Sequence, residues 1–151
     1  MLTVAETSAW RNLLNAHDRV LARLDADLIR DADISLAEYE VLQHLVESPD
    51  SRLRMNELAE LARLSPSGLT RRFDALVRRG WVVRERCDDD RRGVYASITP
   101  DGEERMRFAE PIHVRGVHRY FFDLLSEDHL TEINDVMAMI ADANSNGDLD
   151  R

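Results

Sequence analysis

The amino-acid sequence predicts a mainly α-helical protein with one small β-hairpin, and three observations support that prediction. Apolar residues recur at three- and four-residue steps through most of the 151 residues, which is the period of an amphipathic helix. Between residues 81 and 98 the pattern changes to two short strands on either side of a charged turn. Most of the helical segments also begin with residues that favour helix starts.

The first predicted helix extends from about Thr7 to Arg30 and carries a long apolar stripe. The stripe comprises Trp10, Leu13, Leu14, His17, Val20, Leu21, Leu24 and Leu28. A stripe of this length exceeds what one partner element of the same chain can cover, so we expect part of it to pack against another subunit. Residues 31–34 interrupt the pattern.

A second helix is predicted to begin at Ser35, which opens a capping box, and to stop at residues 48–50. Its inward residues are expected to be Tyr39, Leu42, Leu45 and Val46. A short third helix follows over 55–61. Its inward residues are expected to be Met55, Leu58, Ala59 and Ala62. Because only residues 63 and 64 link it to the next helical segment, the two helices must form a tight turn.

The fourth predicted helix has clear ends. Ser65 suits the N-cap, Pro66 the first helical position and Gly80 the left-handed position after the last turn. One face is apolar and comprises Leu69, Phe73, Leu76 and Val77. The opposite face comprises Ser67, Arg71, Asp74, Ala75 and Arg78, flanked by Thr70 and Arg72. Hydroxyl groups at the start of a helix and arginines along it are typical of a helix that enters a DNA major groove. The alternative is an ordinary solvated basic face.

The distribution of charge favours the first alternative, although the whole chain is acidic with a formal net charge of −9. Residues 54–92 contain ten arginines and seven carboxylates, a net charge of +3, so the acidic excess lies in the flanking segments. A basic segment between acidic flanks is consistent with a local nucleic-acid interface.

Two strands are predicted after the fourth helix, from Trp81 to Arg86 and from Val94 to Ile98, with a charged hairpin tip over 87–93. Two short helices joined by a tight link and followed by a β-hairpin make a winged helix-turn-helix. We therefore expect residues 35–99 to form a winged helix-turn-helix domain.

Two further helices are predicted after the hairpin. Thr99 and Pro100 supply the N-cap and first position of the fifth helix, in which Pro111 is expected to cause a kink. Its apolar residues are Met106, Phe108, Ile112, Val117, Phe121 and Leu124. The sixth helix is expected over about 127–143. Its apolar residues are Leu130, Ile133, Val136, Met137 and Ile140.

The order of these elements and two motifs resemble the MarR (multiple antibiotic resistance regulator) family of bacterial transcription factors. The segment LSPSGLTRRFDALVRRGWV, residues 64–82, is similar to the recognition helix and first wing strand of that family. The segment DDDRRGVYASITPDG, residues 88–102, is similar to the family wing, in which D-x-R precedes a strand and an L-T-x-x-G helix start. Ile98 replaces the leucine of that motif, and three successive aspartates make the tip unusually acidic for a loop that faces phosphates.

The resemblance implies a homodimer. Residues 1–34 and 100–151 of two subunits would interlock as a helical dimerisation region, and the two winged domains would hang below it. The implied partner is double-stranded DNA with a near-palindromic operator. The implied function is that of a repressor released by a small aromatic or anionic effector. The alternative is a winged-helix module for protein–protein contacts that binds no operator.

The resemblance and the motif positions give two sets of candidate site residues. The DNA-binding candidates on the fourth helix are Ser65, Ser67, Gly68, Thr70, Arg71, Arg72 and Arg78, and those at the wing tip are Asp90, Arg91 and Arg92. Wing arginines can enter a minor groove, whose negative potential attracts them, and Asp90 would orient an arginine. An effector pocket would lie between the dimerisation helices and the winged domain. Its candidates are Trp10, His17, Tyr39, His113 and Arg115. The alternative for Trp10 and Tyr39 is an ordinary place in the core.

Other functions find little support in the sequence. There is no serine–histidine–acid pattern, P-loop or Rossmann motif, so neither an enzyme nor a cofactor is predicted. The five histidines are scattered, and residues 142–148 give only the first half of a calcium loop, so no metal site is predicted. Cys87 is the single cysteine, and no apolar run approaches the roughly 18 residues of a membrane span. We therefore expect a cytoplasmic protein without disulfides.

Overall fold

The computed structural model describes residues 1–86 and 94–145 and contains α-helices and a small antiparallel sheet. The helices are α1 (Val4–Ala32), α2 (Leu36–Glu47), α3 (Met55–Leu61), α4 (Pro66–Arg78), α5 (Pro100–Tyr120) and α6 (Glu127–Ser145). The strands are β1 (Arg52–Arg54), β2 (Val82–Arg86) and β3 (Val94–Ile98), and short 3-10 turns occupy Pro49–Ser51 and Phe122–Leu124. The predicted fold class, mainly helical with a β-hairpin wing, is confirmed.

The predicted helix starts are also confirmed by hydrogen bonds. The Ser35 hydroxyl accepts from the Glu38 amide at 3.3 Å, and the Glu38 carboxylate accepts from the Ser35 amide at 2.9 Å. The Thr99 hydroxyl accepts from the Gly102 amide at 3.1 Å. Helix α1 begins earlier than predicted because Thr3 forms a capping box that the apolar periodicity does not reveal.

The sheet has one strand more than predicted, in the order β1-β3-β2 with both pairs antiparallel. Strand β1 is three residues long and pairs Arg52 with Ser97 and Arg54 with Tyr95. Its sequence, Arg-Leu-Arg, is too short to show a strand period, so only its pairing with β3 defines it. The inner face of the sheet is buried at Val82 and Ala96.

The core lies under the sheet and between α2, α4 and the second half of α1. Its largest fully buried side chains are Tyr39, Phe73, Leu28, Ile34, Leu42, Leu45, Leu58, Leu69 and Leu76. Helix α5 packs along α1, where Gly116 allows close approach because an added Cβ would lie 2.6 Å from Leu24. Helix α5 continues through Pro111 without a break.

Some predicted core positions are wrong. Val46 and Val77 are 40% and 37% exposed. Val46 lies in the last turn of α2, and Val77 lies at the edge of the apolar face of α4. Phe108 and Leu124 are also exposed, at 56% and 73%. Most apolar residues of α6 and of the first half of α1 are also exposed in the single chain, and Ile133 is half-buried. No helix among the described residues is both long and apolar enough to cross a bilayer.

The close packing around Gly102 explains why the motif at the start of α5 ends in a glycine. It also predicts that a larger residue there would destabilise the protein. An added Cβ would overlap the Trp81 carbonyl oxygen and lie 2.8 Å from Ile98. Gly102→Ala should therefore destabilise the protein by about 2 kcal/mol or more through overpacking. Gly80→Ala is the comparison, because Gly80 has open space around it but a φ of +75°. We expect it to cost only about 1 kcal/mol. Urea unfolding of both variants measures the difference, and an equal or smaller cost at Gly102 would contradict this packing.

Candidate nucleic-acid interface

Helix α4 is anchored on one side and open on the other. Leu69, Phe73 and Leu76 are fully buried, which fixes the rotation of the helix about its axis. The turn from α3 is closed by the Leu64 amide, which donates to the Ala59 carbonyl at 2.9 Å, while Arg63 takes a left-handed φ of 52°. Because both the axis and the approach of α4 are fixed, the residues on its other face project in defined directions.

The first turn of α4 presents hydroxyl groups whose orientations are fixed by the cap. The Ser65 hydroxyl accepts from the Gly68 amide at 3.1 Å and lies 3.3 Å from the Ser67 hydroxyl. The Thr70 hydroxyl donates to the Pro66 carbonyl at 2.8 Å. Gly68 leaves room for this arrangement, since an added Cβ would lie 3.0 Å from the Ser65 oxygen. A compact, polar helix start of this kind lets an anionic backbone approach closely.

Three arginines of α4 supply the positive charge. The side chains of Arg71 and Arg78 are exposed, and Arg72 is half-buried beside the first turn. Within residues 1–86 and 94–145, none of the three has an ion-pair partner. Uncompensated guanidinium groups on one helix face create a positive potential that attracts phosphates, and they are free to bond to base edges.

The sequence predicts Asp74 on the free polar face of α4, but in the structure its side chain is paired. Its carboxylate accepts from the Arg84 guanidinium of β2 at 2.6 Å, and that guanidinium lies 5.0 Å from the ring centroid of Phe73. The pair joins the wing strand to α4 and neutralises the one carboxylate on this face. Sequence reasoning missed Arg84, because a strand residue ten positions away gives no local signal of this contact.

The wing-tip candidates Asp90, Arg91 and Arg92 lie outside the described residues, as does Cys87, so their roles remain predictions. On strand β1, the structure reveals a basic group that sequence reasoning did not single out. The guanidinium groups of Arg52 and Arg54 each lie 5.2 Å from the ring centroid of Tyr95, on the outer face of the sheet.

Two of the five effector candidates form a stacked pair between α2 and α5. The rings of Tyr39 and His113 are 4.7 Å apart at an angle of 26°. Tyr39 is buried, and this burial raises the pKa of its hydroxyl to about 12, with smaller contributions from Glu110 and Glu47. Burial also lowers the pKa of His113. Tyr39 therefore lies in the core, which is the alternative that the sequence left open for this residue.

The other three candidates lie elsewhere. Trp10 is 56% exposed on α1, two turns before His17. His17 lines an apolar groove of about 360 Å³ between α1 and α6. Arg115 borders a polar cleft of about 550 Å³ beside Asp27 and Arg30. His113 and Arg115 are two positions apart on one helix and so point to different sides. In the single chain His17 and Arg115 thus line different cavities, and the assignment of the five residues to an effector site stays a prediction.

The half-buried position of His113 predicts a pH dependence of stability. Because its pKa is lowered from 6.5 in the folded state, the unfolded chain binds the proton more readily. Protonation of His113 should therefore lower the free energy of unfolding as the pH falls below 6.5. Above that pH the histidine is neutral in both states and should have no such effect. Thermal unfolding at about pH 7.5 and pH 5.5 should show a smaller acid loss for His113→Phe than for the parent. The exposed His129, replaced in the same way, is the control, and a parent-like acid loss in His113→Phe would contradict the assignment.

The arrangement of α3, α4 and the β2–β3 hairpin defines the class of the protein, a winged helix-turn-helix protein whose second helix presents a basic face. The chain belongs to the MarR family, whose model matches residues 32–93. The crystal structure of Sco3205, a MarR family transcriptional regulator from Streptomyces coelicolor in complex with DNA, is similar with a TM-score of 0.91 and 34% identity. That match covers 100% of this chain and 95% of the other.

Two other relatives agree with this family. The crystal structure of AbsC, a MarR family transcriptional regulator from Streptomyces coelicolor, has a TM-score of 0.87 and 36% identity, covering 95% of this chain and 96% of the other. The HTH-type transcriptional repressor YetL of Bacillus subtilis is 29% identical over 80 residues. This match covers 53% of this chain and 48% of YetL. The family predicted from the two sequence motifs is confirmed.

Proposed function

We propose that this protein is a dimeric, sequence-specific DNA-binding transcriptional regulator that acts as a repressor. The observation on which this proposal chiefly depends is the free face of α4, where Arg71 and Arg78 are exposed and unpaired within the described residues. A fixed helix with uncompensated arginines suits base recognition in a major groove, because a guanidinium can bond to both acceptors of guanine. The similarity to Sco3205, whose structure contains DNA, and to the repressor YetL supports the same function.

We propose that different residues of the interface recognise bases and bind the DNA backbone. Arg71 reads bases, while Arg72 and Arg78 with the Ser65, Ser67, Gly68 and Thr70 end of α4 bind the backbone. Asp90, Arg91 and Arg92 of the wing would enter the adjacent minor groove. Backbone contacts supply affinity for any duplex and base contacts supply the choice of sequence, so this division is measurable.

The dimer is proposed from the apolar surface that a single chain leaves uncovered. Leu13 and Leu21 of α1 and Ile133 and Met137 of α6 line the groove that also contains His17, and three of the four are at least 37% exposed. Exposed apolar residues along two helices at the ends of the chain fit an interface between copies. In this proposal residues 1–34 and 100–151 form the dimerisation region, and residues 35–99 the DNA-binding domain.

Release by a small aromatic or anionic effector is part of the proposal. The Tyr39–His113 stack and the cleft beside Arg115 offer aromatic and cationic contacts between α5 and its neighbours. An effector acts only if it binds one arrangement of the recognition helices better than the other. Trp10 is 56% exposed in the single chain and stays an effector candidate in this proposal.

A selection experiment tests the proposed function. The full chain is mixed with a pool of random-sequence duplexes, and bound DNA is amplified and sequenced over several rounds. We expect enrichment of an inverted repeat whose half-sites are about 10 bp apart, since two recognition helices of a dimer contact successive major grooves. A pool that stays random would contradict sequence-specific binding and would favour the alternative of a protein–protein interaction module.

A further inference from the structure

Trp81 occupies an unusual position directly after α4. Trp81 is only 8% exposed, and two guanidinium groups contact its ring. The Cζ atom of Arg79 is 4.7 Å from the ring centroid, and that of Arg105 is 5.0 Å from it. Each guanidinium makes a favourable cation–π contact with the indole ring. Both contacts require the three side chains to keep their relative positions.

Both arginines also bind the carboxyl end of α1. Arg105 donates to the Ala32 carbonyl at 2.9 Å, and Arg79 donates to the Asp33 carbonyl. The Asp33 carboxylate lies 3.7 Å from the Arg79 guanidinium. Cations at this end of a helix also interact favourably with its dipole. The two arginines therefore connect the end of α1 to the ring of Trp81.

The backbone of Trp81 is fixed as closely as its ring. Its amide donates to the Leu76 carbonyl of α4 at 3.1 Å, and its carbonyl accepts from the Thr99 amide at 3.0 Å. The Thr99 hydroxyl donates to the Gly80 carbonyl at 2.6 Å. The end of α4, the start of α5 and the end of α1 thus meet at one residue.

We infer that Arg79, Trp81 and Arg105, here called the α1–α4 joint, fix the orientation of the recognition helix relative to the dimerisation helices. The inference rests on the proposed function, and it makes Arg79 and Arg105 positioning residues for DNA binding. Neither guanidinium needs to touch DNA, because each acts through Trp81 and the end of α1.

Because α4 is long, a small change of angle at the joint would move its first turn by a large distance. Its 13 residues extend about 20 Å from the joint to the polar first turn. A tilt of about 10° at the joint would move that turn by about 3 Å, which is the length of a hydrogen bond. In a two-fold dimer the displacement occurs in both subunits, so the two helices would no longer match successive major grooves.

Three variants test the inference in the full-length protein. Arg105→Gln removes the stacking cation, and Arg105→Lys keeps the charge and a donor but loses the planar guanidinium. Arg107→Gln is the matched control, because it removes the same charge from the same helix. The Arg107 side chain is 70% exposed, and its nearest carboxylate is Glu103 at 3.9 Å.

The first measurement is binding to the selected duplex and to a scrambled duplex over a range of salt concentrations. We expect Arg105→Gln to weaken operator binding about tenfold relative to Arg107→Gln, with Arg105→Lys between the two. The salt dependence should equal that of the control, because neither Arg105 nor Arg107 is among the proposed phosphate-binding residues. The loss on scrambled DNA should be smaller, since binding to phosphates does not require two helices in register.

The second measurement needs no DNA and separates failure of the inference from failure of the proposed function. Amide hydrogen exchange in the last turn of α4 should be faster in Arg105→Gln than in Arg107→Gln. If the parent prefers no sequence but this difference appears, the proposed function is wrong and the joint stands as a structural coupling. If Arg105→Gln does not fold, Arg105→Lys replaces it in both comparisons. Equal exchange and equal operator affinity in the joint and control variants would overturn the inference.

Discussion

A Met137→Glu substitution should convert the protein to monomers and lower its affinity for the operator by about 100-fold or more. Met137 lines the apolar groove between α1 and α6 and is 41% exposed in the single chain. A carboxylate buried there on association would lose its hydration without a partner. A monomer contacts one half-site and so loses the gain in affinity that comes from binding two linked sites.

Light scattering and fluorescence anisotropy with labelled operator measure the two effects of this substitution. Asn134→Glu adds the same charge at an exposed polar position of α6 and is the control. Circular dichroism confirms that both variants keep their helices. A Met137→Glu protein that remains dimeric, or a monomer that binds the operator as tightly as the parent, would contradict the proposed role of this groove.

Arg71→Ala should weaken operator binding by about 1–3 kcal/mol for each base that Arg71 reads, and should relax the choice of base at one position in each half-site. Arg71 is exposed, and no ion pair within the described part of the chain restrains it. Its removal should therefore change DNA binding without changing stability.

A panel of duplexes with single base changes in each half-site measures this prediction. Arg107→Ala removes the same charge away from α4 and controls for the general loss of attraction to phosphates. If Arg71→Ala discriminates among the duplexes as the parent does, Arg71 is not the reader, and the half-buried Arg72 becomes the next candidate.

The fold was predictable wherever the signal was local. The caps at Ser35, Ser65 and Thr99 are encoded within four residues of each helix start, and the structure has all three. Strand β1 was not predictable, because its three residues become a strand only by pairing with a segment more than 40 positions away. The exposed positions of Val46 and Val77 follow from the particular neighbours of each helix, which periodicity alone does not specify.

The candidate site was predictable in part for the same reason. The free face of α4 follows from a single helical period, so Arg71 and Arg78 are exposed as expected. The role of Asp74 depends on Arg84 of β2, and the cluster around Trp81 depends on α1 and α5. The effector candidates come from three different helices, and only the packing of α2 on α5 brings Tyr39 and His113 together.

The proposed function requires that this winged helix-turn-helix protein choose a DNA sequence as a dimer. The most direct measurement is the ratio of its affinities for the selected inverted repeat and for a scrambled duplex of equal length and composition. Both affinities are measured at one physiological salt concentration, with the number of chains per duplex determined alongside. We expect a ratio of about 10³ or more, with two chains on each duplex. A ratio near one, or a single chain on each duplex at full affinity, would contradict the proposed function.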